Sequence, residues 1–247
     1  MKVLYKKHEI HVADYLLSLK DKLRDDFLRG YNSLQEAAAN KSVNTLDHTR
    51  FGVPISETEK WVKTVDTVNN IIKNNIEAWK VTGIKDGSHS YDERTDPDNQ
   101  NGSWEMPDEH PHATEFATAF NLVKSFGSHC NVATYSIMKP NSVIVRHSDP
   151  DNKFGKNIRI HVPLIVPDGD VFLEVNGEET DYKDLFGFSN QFFHSAHNYT
   201  NEHRLIFIID ISREYLNLEP SITHKQIQQQ PELIKPFLRN GKEWHLY

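Results

Sequence analysis

The residues best suited to chemistry lie in the C-terminal half of the sequence. They are His147 and Asp149 in HSD, Arg159 and His161 in NIRIHVPL, His194, and Arg204 ten residues after it. In an extended segment, residues two apart point to one face, so His147 and Asp149 can reach one ion together while Ser148 points away. His194, from a distant strand, completes a two-histidine, one-carboxylate set. Such a facial triad leaves coordination positions open and favours iron(II) and oxygen chemistry. Arg204 opens the apolar run RLIFIID, and a buried guanidinium there needs an anion, which it can grip through two parallel hydrogen bonds. Arg159 and His161 share one face of their strand, while Ile158, Ile160 and Val162 share the other. Polar residues on the inner face of a barrel line a cavity, where a small anionic co-substrate would sit.

Strands and helices must position these groups. From residue 128 the apolar pattern has period two. NVATYSIMK, SVIVRH, NIRIHVPLIV, DVFLEV and HRLIFIIDI read as strands separated by Pro-Asn, Pro-Asp-Gly and Asn-Gly turns. DYKDLF and FSNQFFH supply two or three more, giving roughly eight short strands in about 85 residues, the pattern of a jelly roll or double-stranded β-helix. The first half is helical in pattern. Leu16, Leu19, Leu23 and Phe27 share one helix face with Gly30 as a stop; Trp61, Val65, Val68, Ile72 and Trp79 form a second face, with Ser56 as N-cap; Phe116, Phe120 and Val123 form a third, closed by Gly127. Residues 85–112 are rich in Asp, Asn, Gly, Pro and Ser and read as a long loop, in which His110 and His112 are solvated and Trp104 is a candidate cap over a substrate pocket. A short helix is expected at 231–238. The fold expected is mainly β with a helical annex, one domain over 1–247: a helical buttress and loop at 1–127, a cupin-like double-stranded β-helix at 128–212 and a C-terminal extension at 213–247.

Composition narrows the partners. The formal charge of −7, with no long Lys/Arg run, argues against a nucleic-acid partner. No stretch approaches the roughly 18 apolar residues of a membrane span, and the N-terminus lacks the apolar core of a secretory signal. The single cysteine, Cys130, excludes an internal disulfide and fits a reducing cytoplasm, where it packs as a small hydrophobe.

At YSIMKPNSVIVRHSD, NIRIHVPLIVP and NQFFHSAHNYTNEHRLIFIID the chain resembles the aspartyl/asparaginyl β-hydroxylase family of Fe(II)/2-oxoglutarate-dependent oxygenases. The resemblance covers about residues 134–212. It implies a double-stranded β-helix with iron(II) held by His147 and His194. It also implies that Arg204 and Ser136 take the distal carboxylate of 2-oxoglutarate and that Arg159 and His161 stand near its metal-binding end; Ser136 comes from the resemblance alone. The animal peptide hydroxylases of the family carry Gly where this chain has Asp149. The Asp resembles instead the bacterial branch acting on free amino acids, such as the proline cis-hydroxylases, and argues for hydroxylation over halogenation, which needs a small residue there.

The expected activity is therefore hydroxylation of an unactivated C–H bond with Fe(II), 2-oxoglutarate and O2, on a free amino acid or a similar small acid. Alternatives are a carrier-bound amino acid, a nucleotide or a peptide, and, outside catalysis, a cupin-like binding domain. Arg146, next to the first ligand, and His197, three residues past the second and on the opposite face of its strand, join Trp104 as candidate substrate contacts.

Overall fold

The computed structural model describes residues 2–39, 47–48, 79–85, 114, 116–138, 140–149, 155–239 and 242–243. Two antiparallel sheets face each other. The strands of the larger are β1 (Leu4–Lys6), β2 (Asp47–His48), β3 (Trp79–Lys85), β4 (Cys130–Met138), β6 (Asn157–Ile165), β9 (Phe186–Phe188) and β11 (Arg204–Ser212). Those of the smaller are β5 (Ser142–His147), β7 (Val171–Val175), β8 (Glu178–Asp181) and β10 (His194–Asn198). The larger sheet runs β1-β9-β6-β11-β4-β3-β2 and the smaller β5-β10-β7-β8. Consecutive strands of the 130–212 segment thus switch from one sheet to the other at each step except between β7 and β8, the wrap of a double-stranded β-helix, as the strand count led one to expect.

Period-two alternation sorts the side chains into two cores. On β11, Leu205, Phe207, Ile209 and Ile211 face the helices, with Ile158, Ile160 and Val162 of β6 and Tyr135 of β4. The opposite register, Ile206 and Ile208 of β11 with Phe186, Phe188, Leu173 and Val175, fills the space between the sheets. Arg204 and Asp210 of β11, Arg159 and His161 of β6, and Ser136 of β4 share this inward face with the apolar side chains. These five polar residues are therefore inside the barrel.

Helices α1 (Ala13–Ser18), α2 (Lys20–Ala39) and α3 (Ala117–Phe126) buttress the larger sheet. Asp26 of α2 accepts hydrogen bonds from the Thr118 and Ala119 amides at 2.6 and 3.4 Å, satisfying the free N–H groups at the start of α3 from a neighbouring helix. Gly127 closes α3 with φ +54°, as its position predicts. Gly30 does not stop its helix. It lies inside α2, where a Cβ would stand 2.3 Å from the Phe116 ring, so the glycine is there to let a buried aromatic reach the helix backbone. Trp79 opens β3 rather than ending a helix; the rest of that helix, and the 86–112 loop with Trp104, His110 and His112, lie outside the described residues. The C-terminal helix expected at 231–238 is displaced: α4 spans His224–Gln229, capped by Thr223, and only a 3-10 turn follows at Pro231–Leu233. Pro231 cannot continue a preceding helix, which accounts for the break. Among the described residues no helix is long and apolar enough to cross a membrane.

Candidate metal and anion site

His147 ends β5 and His194 begins β10, and the two are register partners across neighbouring antiparallel strands. Their rings lie 4.3 Å apart. The β5–β10 ladder shifts register between His194 and Ala196, so that β5 advances three residues where β10 advances two. This bulge lets both His147 and Ile144, three residues apart, line the same cavity. Asp149 follows β5, its amide hydrogen-bonded to the Asn190 carbonyl at 2.9 Å. Its Oδ1 is 3.5 Å from His147 Nε2 and its Oδ2 3.8 Å from His194 Nε2. Ligand atoms bound at about 2.0–2.2 Å to one ion stand roughly 3–4 Å apart, so both separations suit a shared metal.

The protonation states suit it as well. His194 Nδ1 lies 2.9 Å from the Phe192 carbonyl, which fixes the proton there and leaves Nε2 with its lone pair toward Asp149. Burial, helped by the neighbouring His147, pushes the His194 pKa down to about 3, so the ring is neutral at pH 7. Burial works to raise the Asp149 carboxyl, but the Arg159 guanidinium, then His194 and His147, hold it below the ordinary carboxylate range. A neutral imidazole at His194 and a carboxylate at Asp149 are forms that bind a divalent metal.

Arg159 donates from Nε and Nη2 to the two oxygens of Asp210 at 2.8 Å each, and from Nη1 to Asp149. Burial nonetheless leaves the Asp210 carboxyl raised. A bidentate contact of that length is the geometry of an ionised pair, and on it we take both groups as charged. The Arg159 guanidinium thus faces two carboxylates while it also lines the cavity, and its Nη1 contact bears on where Asp149 points.

The other end of the cavity is different. Arg204, 1% exposed, donates from Nη2 to Ser136 Oγ at 3.1 Å and from Nη1 to Tyr182 Oη at 2.9 Å. No carboxylate answers its charge among the contacts described. Arg204 Nε and His161 Nδ1 are both buried without a hydrogen-bond partner among the described residues. Burial, with Arg204 and Arg159 nearby, holds His161 far below its usual pKa, so it stands there neutral. Ser136, His147, Arg159, His161, His194 and Arg204 line one small cavity between the sheets. Its other walls are apolar, among them Leu173, Phe188 and Ile206. A buried cation with an unused donor, beside a second unused polar nitrogen, is what an anionic ligand would satisfy.

Arg146 and His197 do not reach this cavity. They lie behind the smaller sheet, as alternation from His147 and His194 dictates. Arg146 pairs with Glu174 at 3.2 and 3.3 Å. His197 stacks on Phe172 at 4.3 Å and hydrogen-bonds Ser195 and Tyr199. These contacts turn both candidate substrate residues away from the cavity lining. Sequence reasoning had missed Asp210, Asn190 and Tyr182. Asp210 carried a signal, since it falls on the same alternate positions of β11 as Arg204. Tyr182 carried none.

One cavity thus brings together a candidate metal-binding set and a buried arginine with an unused donor. The model of the aspartyl/asparaginyl beta-hydroxylase family matches residues 55–214, and the chain belongs to that family. Among solved structures it is similar to an oxidoreductase of the 2OG-Fe(II) oxygenase family from Burkholderia pseudomallei, with 12% identity, coverage of 68% of this chain and 81% of that one, and a TM-score of 0.36. It is also similar to a cupin domain of an XRE family transcriptional regulator from Enterobacter cloacae, with 13% identity, coverage of 32% and 79%, and a TM-score of 0.27. No curated protein matches the chain.

Proposed function

We propose that this chain is an Fe(II)- and 2-oxoglutarate-dependent oxygenase that hydroxylates an unactivated C–H bond of a free amino acid or a similar small acid. The observation that carries the reading is one cavity lined by His147 and His194, with Asp149 close enough to share an ion with both, and, apart from them, a buried arginine with an unpartnered Nε. His147, Asp149 and His194 would hold the iron. Arg204 and Ser136 would hold the distal carboxylate of 2-oxoglutarate, with His161 alongside. The chemistry supplied when both are bound is oxidative: O2 is consumed, 2-oxoglutarate leaves as succinate and carbon dioxide, and one oxygen atom ends in the substrate hydroxyl.

The protein's own part is orientation. Phe192 fixes the His194 tautomer, while Arg159 and Asn190 aim the Asp149 carboxylate. The apolar walls lower the local dielectric and strengthen each charge inside the cavity. Asp149 supports hydroxylation and the free-amino-acid branch, because it fills the coordination position that a smaller residue would leave open to halide. Iron(II) and the buried single thiol of Cys130 both suit the reducing cytoplasm.

The test is succinate formation by the iron(II)-loaded protein across free amino acids and their N-acyl, carrier-linked and nucleotide analogues. Strong stimulation by a free amino acid, abolished in His147→Ala, is expected. Stimulation only by a carrier-linked or nucleotide compound would overturn the substrate class. No turnover with metal bound would overturn the enzyme reading in favour of a binding domain.

A further inference from the structure

The cation at the deep end of the cavity is held on one side by a tyrosine. Tyr182 follows β8 directly and is 1% exposed. Its hydroxyl accepts a hydrogen bond from Arg204 Nη1 at 2.9 Å, and its ring centroid lies 5.0 Å from the guanidinium carbon. The ring is itself fixed, stacked on His161 at 5.9 Å and 11° and tilted against Phe186 at 5.3 Å.

A guanidinium can grip a carboxylate by its outer fork, Nη1 with Nη2, or by its side edge, Nε with Nη2. Here the outer fork already meets two hydroxyls, Tyr182 on Nη1 and Ser136 on Nη2. The donor buried without a partner is Nε. An arginine free to change rotamer could follow anions of several lengths, since its side chain carries about 2 kcal/mol of rotamer entropy; one pinned by its far nitrogen cannot.

We propose that Tyr182 is a positioning and specificity residue: it locks Arg204 so that the Nε–Nη2 edge receives the distal carboxylate, and so sets the chain length of the dicarboxylic 2-oxo acid the site accepts. This rests on Arg204 being the carboxylate anchor proposed above. Tyr182 touches the arginine and not the reacting atoms, so its effect falls on co-substrate choice. A packing role alone would weaken every ligand alike.

The test uses the full chain loaded with Zn(II), which is inert to turnover, and reads binding by calorimetry. The ligands are 2-oxoglutarate, the one-carbon-longer 2-oxoadipate, and 2-oxopentanoate, which lacks the distal carboxylate. In Tyr182→Phe, with unchanged thermal unfolding, 2-oxoglutarate should bind about tenfold more weakly, the size of one charge-assisted hydrogen bond. Binding of 2-oxopentanoate should be unchanged, and the preference for 2-oxoglutarate over 2-oxoadipate should shrink. Equal weakening of all three ligands, or no weakening, would overturn the inference. Wild-type protein that prefers neither dicarboxylate over 2-oxopentanoate would overturn the anchor reading beneath it. Should Tyr182→Phe fail to fold, the wild-type protein still decides. Its Arg204 Nε–H resonance, identified by its loss in Arg204→Lys, should shift with 2-oxoglutarate and stay put with 2-oxopentanoate; an unmoved resonance with both would overturn the side-edge docking.

Discussion

Arg159 and Asp210 meet as register partners across the β6–β11 ladder and join through two hydrogen bonds of 2.8 Å, both side chains buried. The third arm of the same guanidinium reaches Asp149. Through Arg159, a carboxylate deep in the larger sheet bears on where the candidate metal-ligand carboxylate of Asp149 points. Asp210→Ala would leave a buried guanidinium half answered, a change that costs about 3–5 kcal/mol. Urea unfolding should show a loss of that order, with weaker metal binding by the folded fraction. Wild-type stability and metal affinity in Asp210→Ala would refute the relay.

Behind the smaller sheet, Glu174 ties together the neighbours of both histidine ligands. Its oxygens accept from Arg146, which precedes His147, and from Ser195, which follows His194. Burial raises the Glu174 carboxyl, while Arg146, the Gly177 amide and Ser195 act to lower it. Outer support of metal ligands is typically worth about 10–100-fold in affinity. Glu174→Gln should weaken Co(II) binding, followed by its visible spectrum, within that range while the circular dichroism stays native. Unchanged affinity would assign the cluster to packing only.

His197 gives the metal-free protein an acid sensitivity. Burial, with Arg239 nearby, lowers its pKa to about 3. In the unfolded chain the ring takes a proton near pH 6.5, so between about 6.5 and 3 the unfolded state binds more protons and stability falls as pH falls. The slope approaches about 1.4 kcal/mol per pH unit for one such group. Chemical denaturation from pH 6.5 to 5 should show wild type losing more stability than His197→Gln. Parallel pH profiles would contradict the assignment. Glu174, raised in the fold, acts with the opposite sign and is common to both proteins.

Gly30 sets two effects against each other. Alanine at an exposed mid-helix site would gain about 1 kcal/mol over glycine. Here its Cβ would stand 2.3 Å from the ring of Phe116, which is fully buried. Overpacking of a core costs about 1–3 kcal/mol, so the clash should win and Gly30→Ala should lower the melting temperature. A rise would show that Phe116 moves aside freely.

Period-two alternation made the barrel legible, because every second residue of RLIFIIDI and NIRIHVPL had to face either helices or cavity. The same alternation placed Arg204, Arg159 and His161 inside and His197 behind the sheet. Spacing cannot show who pairs with whom across strands. The pairing of Arg159 was not readable because its partner Asp210 lies 51 residues away and meets it only in the folded ladder. Tyr182, just past β8, carried no periodic or motif signal. Gly30 read as a helix stop because local rules favour that use, whereas a ring 86 residues on needed the space.

The most direct test is anaerobic titration of the Fe(II)-loaded protein with 2-oxoglutarate, watching for the visible charge-transfer band of a 2-oxo acid chelated to iron(II). A saturable band in the wild type, absent in His147→Ala and moved to much higher 2-oxoglutarate concentration in Arg204→Met, is the predicted result. Iron bound with no band at any concentration, or a band indifferent to Arg204, would contradict the account of one cavity holding metal at one end and a carboxylate at the other.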